Sequence, residues 1–436
     1  MPSQQNQNPR LIAAQDLLIW FHSNQIRFQR RNSFINPSDF GLYRYLVSSV
    51  IRNRNQYLFF IEDLTGRKLN KIDPEAIICL MLGISQLEPH MKVQQYAAVN
   101  ETVGLLPALN KGFLKGFVNA NLRSFIRQEV RLRESCQQQA LAVQTSHPDW
   151  MVTRWQKKYG DFAAEQICHF NNLIPKVHIA INPKFERQVV LEELKHNNVK
   201  DLEELQNGWR VNNPSGIFNT ESLRSGAFLV QDPSSQQLIE LIAPLPKQSV
   251  LDVCAAPGGK LFHLEWAYHS EIELLIAIDN STSRMHRLIE NKRRIGSKSR
   301  IAVMDAKKPA INALFDLVVV DAPCSGTGTI QKHPEIKWNR QPSDFLINQK
   351  NQLEILAGVR DLVKPGGFLL YVTCSLEVEE NHEVVDQFLQ QNSAGYSHVP
   401  WQTDGVMQDS FTKEGFYMCL PDQHRMGMFA ALLQKK

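Results

Sequence analysis

From about residue 241 onward, short apolar runs alternate with helical stretches, and this pattern limits the chain more than anything else in it. SVLDVC (249–254), ELLIAID (273–279), RIAVMD (300–305), FDLVVVDAP (315–323) and GGFLLYVTCS (366–375) are nearly continuous in apolar residues. Such runs suit parallel strands buried on both faces. A Gly-rich turn and helix follow the first, a basic helix ending at Gly296 follows the second, and a helix through Leu389 follows the fifth. GFYMCL (415–420) and RMGMFAALLQ (425–434) read as a terminal strand pair. Residues 241–436 therefore form a doubly wound α/β domain, and in such sheets ligands bind at the carboxyl ends of the strands.

The 436 residues leave room for two further domains. Residues 1–140 read as all-α, because apolar residues recur at helical spacing in Leu11, Ala14, Leu18, Phe21 and in Ile77, Leu80, Met81, Ile84. Asp73 before Pro74 is a fitting helix start. Residues 145–240 mix a short helix in SHPDWMVTRWQKKYG, an alternating strand in VHIAIN and a turn-rich stretch, which makes a small α+β connecting domain. A content of 43% hydrophobic and 21% charged residues is that of an ordinary globular protein. The N-terminus lacks an apolar signal core, and no run approaches a membrane span. The seven cysteines contain no CxxC pair, so neither a metal site nor a disulfide framework is expected. A reduced, cytoplasmic monomer is the expectation.

Polar chemistry gathers at the strand ends. Cys254, Ala255, Ala256, Pro257, Gly258, Gly259 and Lys260 follow the first strand, where small residues let backbone approach a ligand at a helix start. Asp279 ends the second strand and suits ribose hydroxyls; Asp305 ends the third and could accept from an adenine amino group; Asp321 ends the fourth. The dinucleotide pattern GxGxxG is absent, and Lys260 is followed by Leu261 rather than the Ser or Thr of a phosphate loop. A nucleoside without pyrophosphate fits better. One such Asp alone would be as well explained as a turn residue or helix cap; three beside a Gly-Gly turn are not.

Two cysteines sit at the remaining strand ends, Cys324 in DAPCSGTG and Cys374 in VTCSLEVEEN. Cys79, Cys136, Cys168 and Cys419 read as small core residues, and Cys254 as a small residue beneath the ligand. LDVCAAPGGK, DAPCSGTG, KHPEIKW and VTCSLEVEEN together resemble the motifs of the NOL1/NOP2/Sun family of RNA cytosine-C5 methyltransferases. The resemblance implies a Rossmann-like catalytic domain using S-adenosylmethionine, bound by Cys254 to Lys260, Asp279, Asp305 and Asp321. It implies Cys374 as nucleophile, Cys324 as the thiol that assists breakdown of the adduct, and Asp321 as the acid at the base. The chemistry accounts for such a set. Carbon 5 of cytosine becomes nucleophilic when a thiolate adds at carbon 6 and charge developing at N3 is neutralised. The second cysteine argues for RNA rather than DNA as substrate.

AAVNETVGLL (97–106) and LKGFVNANLRSFIRQ (114–128) resemble the NusB-like helical domain fused to a bacterial ribosomal-RNA member of this family. That layout implies small-subunit ribosomal RNA as partner. Two departures stand out: Leu261 and Phe262 where the family usually has threonines, and Ala180 where it usually has arginine. Phosphate-binding candidates are Arg123, Arg127 and Arg131 on one helix face, Arg27, Arg30 and Arg31, and Lys292, Arg293 and Arg294, each equally readable as a solvated face. His333 to Trp338 either lines a base pocket or packs a loop. The other readings are a transfer-RNA or different ribosomal-RNA methyltransferase, and a non-catalytic RNA-binding assembly factor. The presence of Cys324, Cys374 and Asp321 together opposes the last.

Overall fold

The structure is a computed structural model, and it describes residues 8–26, 28, 29, 33, 34, 36–214, 216–401 and 410–436. The Arg27, Arg30 and Arg31 cluster lies outside the described residues. The chain forms two compact units, Met1–Leu173 with Lys332–Asn339, and Ile174–Gln331 with Arg340–Lys436.

The first unit is helical. Its helices are α1 (Pro9–Ser23), α2 (Pro37–Arg52), α3 (Arg54–Thr65), α4 (Pro74–Leu87), α5 (Gln95–Val103), α6 (Lys115–Gln137), α7 (Leu141–Gln144), α8 (Asp149–Tyr159) and α9 (Asp161–Asn172). Helix α4 starts as its sequence suggests, with the Asp73 carboxylate accepting from the Glu75 N–H and Pro74 in the first turn. It is buried continuously from Ala76 to Gln86, so it is the centre of this unit. Gly83 permits that, since a Cβ there would come within 2.5 Å of a Leu122 methyl on α6. Residues 332–339 pack in the same unit. The Lys337 ammonium, fully buried, donates to Arg52 O (2.9 Å), Ser146 O (2.9 Å) and Asn172 Oδ1 (2.7 Å). The Trp338 indole N–H donates to Ile51 O at 2.8 Å while Arg54 lies over its ring at 4.8 Å. Of the two readings of His333 to Trp338, packing is the one observed for Lys337 and Trp338, whereas His333 is exposed.

The second unit opens with an antiparallel sheet in the order β2-β3-β1-β4, from β1 (Val177–Ile181), β2 (Lys200–Leu205), β3 (Gly208–Asn213) and β4 (Phe228–Val230). Helices α10 (Arg187–His196) and α11 (Glu221–Arg224) join them, and Ile179, Val190, Leu194 and Trp209 form their core. Ala180 is fully buried, opposite Gly208 and Leu229, so the departure there concerns the core and not an exposed cation.

After α12 (Pro233–Leu241) come β5 (Ser249–Val253), α13 (Gly259–Ala267), β6 (Leu274–Asp279), α14 (Thr282–Ile295), β7 (Arg300–Val303) and β8 (Phe315–Asp321), then α15 (Ile336–Asn339), which belongs to the first unit. They are followed by α16 (Pro342–Val359), β9 (Val363–Thr373), α17 (His382–Gln391), β10 (Tyr396–His398), β11 (Tyr417–Cys419) and β12 (Met428–Lys435). The sheet runs β7-β6-β5-β8-β9-β12-β10, with β11 also on β12. Strands β5 to β9 are parallel to their neighbours, whereas β12 is antiparallel to β9, β10 and β11. The chain winds outward from β5 in one direction and then from β8 in the other. Right-handed crossovers in opposite directions put their helices on opposite faces, and the reversal between β5 and β8 is where ligands bind. The third strand ends at Val303, short of the expected Asp305, and the three-residue β10 was not anticipated because so short a segment carries no period. Among the described residues no helix is long and apolar enough to cross a membrane.

Candidate active site

The β5 strand runs out into a tight turn at the reversal point. Cys254 adopts a left-handed φ of 61°, and Gly258 a φ of 99° just before α13. Gly258 has a second reason to be glycine: a Cβ would lie 2.3 Å from the Phe262 ring and 2.6 Å from a Leu288 methyl. Phe262 and Leu261 thus serve the core beneath the turn, both nearly inaccessible. At Gly259 a Cβ would meet nothing within 4 Å, so packing does not explain that residue. The Asp279 carboxylate at the end of β6 accepts from the Ala256 N–H of the same turn (3.2 Å), from the Ser281 N–H (2.9 Å) and from Arg284 (3.0 Å). Asp305 is exposed two residues beyond β7 and accepts from the Lys307 N–H at 3.0 Å. Burial pushes the Cys254 thiol up to about 12, with Asp279 adding to the effect, so it remains a neutral SH beneath the turn. Gln231, from the LVQDPSS segment, donates to Gly259 O at 3.2 Å.

One strand further on, the Lys260 ammonium donates to Asp321 Oδ2 at 2.7 Å. Burial alone would weaken that ammonium, but the facing Asp321 more than offsets it and Lys260 is raised. Lys260 therefore belongs with the acid at the tip of β8 as much as with the turn. Behind them Asp252 is buried within β5; burial, with Asp321 and Asp279, drives its carboxyl well up, into the neutral form.

The tips of β8 and β9 bring Cys324 and Cys374 together, Sγ to Sγ 3.3 Å. The Cys324 S–H donates to Cys374, and this pulls the Cys374 thiol below its ordinary range, aided by Lys260, while burial and Asp321 oppose it. The same contact, together with burial, holds Cys324 well up as a thiol. Cys79, Cys168 and Cys419 are pushed to about 12 by burial, so these are inert core thiols.

Sequence reasoning missed what holds the two thiols. Glu380, fully buried, accepts from the Ser325 N–H (2.7 Å), the Ser325 hydroxyl, the Ser375 hydroxyl and Asn348 Nδ2 (2.8 Å). Ser325 and Ser375 each follow one of the cysteines, so a single carboxylate ties both turns. Asn381 donates to Ser375 O at 2.9 Å, and Thr327 Oγ1 accepts from the Leu376 N–H at 2.9 Å. The twin Cys-Ser pairs and the acid five residues after the second were the available signal.

The basic clusters divide. Arg123, Arg127 and Arg131 are all exposed, and Arg131 pairs with Asp63. Arg294 donates to Leu223 O at 2.6 Å, and Lys292 to Arg294 close the last turn of α14, where cations suit the helix dipole.

A doubly wound domain with a nucleoside-sized turn at its reversal point and a thiol pair beside it defines a Rossmann-like methyltransferase. Residues 239–434 match the family model of the 16S rRNA methyltransferase RsmB/F, residues 7–127 that of the NusB family, and residues 147–217 that of the RsmF/B-like ferredoxin-like domain. The ribosomal RNA small subunit methyltransferase B of Proteus mirabilis is 32% identical over 410 residues, covering 92% of each chain. A probable ribosomal RNA small subunit methyltransferase B of Coxiella burnetii is 32% identical over 88% of this chain and 93% of its own. The crystal structure of PH0851 shares the fold at a TM-score of 0.75, 22% identity, and coverage of 99% of this chain and 100% of that one. The chain belongs to the RsmB/F family of methyltransferases.

Proposed function

We propose that this chain methylates carbon 5 of a cytosine in 16S ribosomal RNA, through a covalent bond from Cys374 to carbon 6 of the base. The observation that carries the reading is the 3.3 Å thiol pair, with Cys374 lowered and Cys324 raised, beside the Lys260–Asp321 pair. The RNA comes from the names of the relatives, and a cytoplasmic monomer that does not use DNA is part of the same reading.

The turn Cys254 to Lys260, with Asp279 and Asp305, fits S-adenosylmethionine: Gly259 leaves space that protein does not need, and the Asp279 carboxylate keeps lone pairs beyond its three bonds. When bound, this cofactor supplies an electrophilic methyl group. Cys374, as thiolate, adds to carbon 6, and the electron pair of the carbon 5–carbon 6 bond becomes available at carbon 5. Asp321, held by Lys260, binds the base at N3 and keeps the neutralising proton there. After carbon 5 is methylated a base accepts its proton, the electron pair of that carbon–hydrogen bond re-forms the carbon 5–carbon 6 double bond, and the carbon–sulfur bond breaks with its pair returning to Cys374 Sγ. Cys324 acts at this last step, its S–H stabilising Cys374 as it returns to thiolate. In this division of labour residues 1–140 grip RNA, 145–240 connect, and 241–436 perform the chemistry.

The test is the fate of the two thiols. Cys324→Ala should accumulate a protein–RNA adduct that survives denaturing electrophoresis; Cys374→Ala should give neither adduct nor 5-methylcytosine. Trapping by Cys374→Ala, or normal turnover by Cys324→Ala, would falsify the assigned roles.

A further inference from the structure

Helices α5 and α6 enclose a cleft of about 340 Å³ that the chemistry above does not use. Its floor is apolar, from Val99 and Ile126. Tyr96 stands at its edge 74% exposed, an unusual position for a large aromatic ring. Arg123 and Arg127, one turn apart on α6, project from the opposite wall, and among the described residues no carboxylate lines the cleft. Arg123 is steadied by its Nε–H donating to Asn119 Oδ1 at 3.1 Å. Arg131, next along the same row and also exposed, pairs with Asp63, and no such carboxylate pairs with Arg123 or Arg127 among the described residues.

We propose that this cleft seats an unpaired nucleotide of the RNA substrate, its base stacked on Tyr96 and its phosphates on Arg123 and Arg127. The proposal rests on the RNA reading above and adds to it a second point of grip, outside the catalytic centre. The volume is at the lower end of small-ligand sites, enough for a single base and too small for a duplex groove contact. An exposed aromatic face with paired guanidiniums is the arrangement that holds single-stranded nucleic acid without reading its sequence strictly. Asn100 and Asn119 offer amides to the base edge. A protein helix would need a longer apolar groove and would gain nothing from two like charges at the rim.

The full-length protein and 16S ribosomal RNA are used, with KM for RNA, kcat and cofactor affinity measured separately. Tyr96→Ala should raise KM roughly tenfold, within the range for losing one stacked base, with kcat and S-adenosylmethionine affinity unchanged. Tyr96→Phe should restore KM. Arg123→Ala and Arg127→Ala should each reduce the slope of log affinity against log salt by about 0.7, the value per single-strand phosphate contact. Unchanged KM and salt slope in all three alanine variants, with wild-type methylation intact, overturns the cleft assignment and leaves the RNA reading standing. Unchanged RNA affinity with loss of self-association would make the cleft a seat for protein and also overturns it. Wild-type protein that neither binds nor methylates RNA overturns both readings.

Discussion

Replacing Glu380 separates what packing does for the thiol pair from what charge does. In Glu380→Ala four donors lose their acceptor: the Ser325 N–H, the Asn348 amide and the two serine hydroxyls. The hydroxyls lie 3.2 Å apart and can bond each other, and the half-buried Asn348 amide can turn to water, which leaves the buried Ser325 N–H stranded. At about 1–3 kcal/mol for an unmet buried donor, the loss should be roughly 1–3 kcal/mol, a sizeable share of a domain's stability. Glu380→Gln keeps an oxygen for the N–H and the amide, and the hydroxyls need only turn to accept from its new NH₂, so about 1 kcal/mol is expected. That conservative change also removes a negative charge that pushes both thiols up. The pH at which the Cys374 peptide is half-alkylated by iodoacetamide, followed by mass spectrometry, should therefore fall. Denaturant unfolding supplies the stability half. An alkylation midpoint that stays put or rises in Glu380→Gln, or an alanine variant as stable as the wild type, would refute the argument that this carboxylate ties and repels the pair.

Other substitutions address the turn, the buried lysine and acid stability. Gly258→Ala should cost about 2–4 kcal/mol by thermal or chemical unfolding, since its φ of 99° and the 2.3 Å approach to Phe262 both oppose a side chain, while Gly259→Ala should fold normally and lose cofactor affinity by calorimetry. Asp279→Ala should weaken S-adenosylmethionine binding by about 1–3 kcal/mol; unchanged affinity in calorimetry would remove it from the site. Lys337→Met should destabilise by roughly 2–4 kcal/mol in denaturant, because three acceptors lose their donor. Burial depresses the His263 imidazole to about 4, so the unfolded chain takes up a proton first as pH falls. Stability should be complete above about pH 6.5 and lost down to pH 4, by up to about 3 kcal/mol, and His263→Gln should flatten that limb in urea titrations.

What the sequence made legible and what it hid follow from where the information is stored. The buried parallel strands were readable because burial on both faces demands continuous apolar runs, and β5, β6 and β8 lie within a residue or two of their expected limits. The two thiols were readable as strand-tip residues because adjacent parallel strands end side by side; the register of Asp321 against Val372 brings the chain of β8 alongside β9 just where each cysteine follows. Glu380 was harder to read, since its role depends on a short turn folding back beneath both tips; the twin Cys-Ser pairs mark that an acid nearby could tie them, but not which of Glu377, Glu379 and Glu380 it is. Lys337 was hidden as well. The motif reads equally as pocket lining or loop packing, and only the compact unit around Lys337, which buries it among three oxygens, shows that it serves as an internal peg. The row Arg123, Arg127, Arg131 shows the limit once more: helical spacing put the three on one exposed face, but only the tertiary position of Asp63 reveals that Arg131 is paired while Arg123 and Arg127 line the cleft. Periodicity thus reports which face a residue occupies, and the partner across the gap, which sets its charge and its use, has to come from the fold.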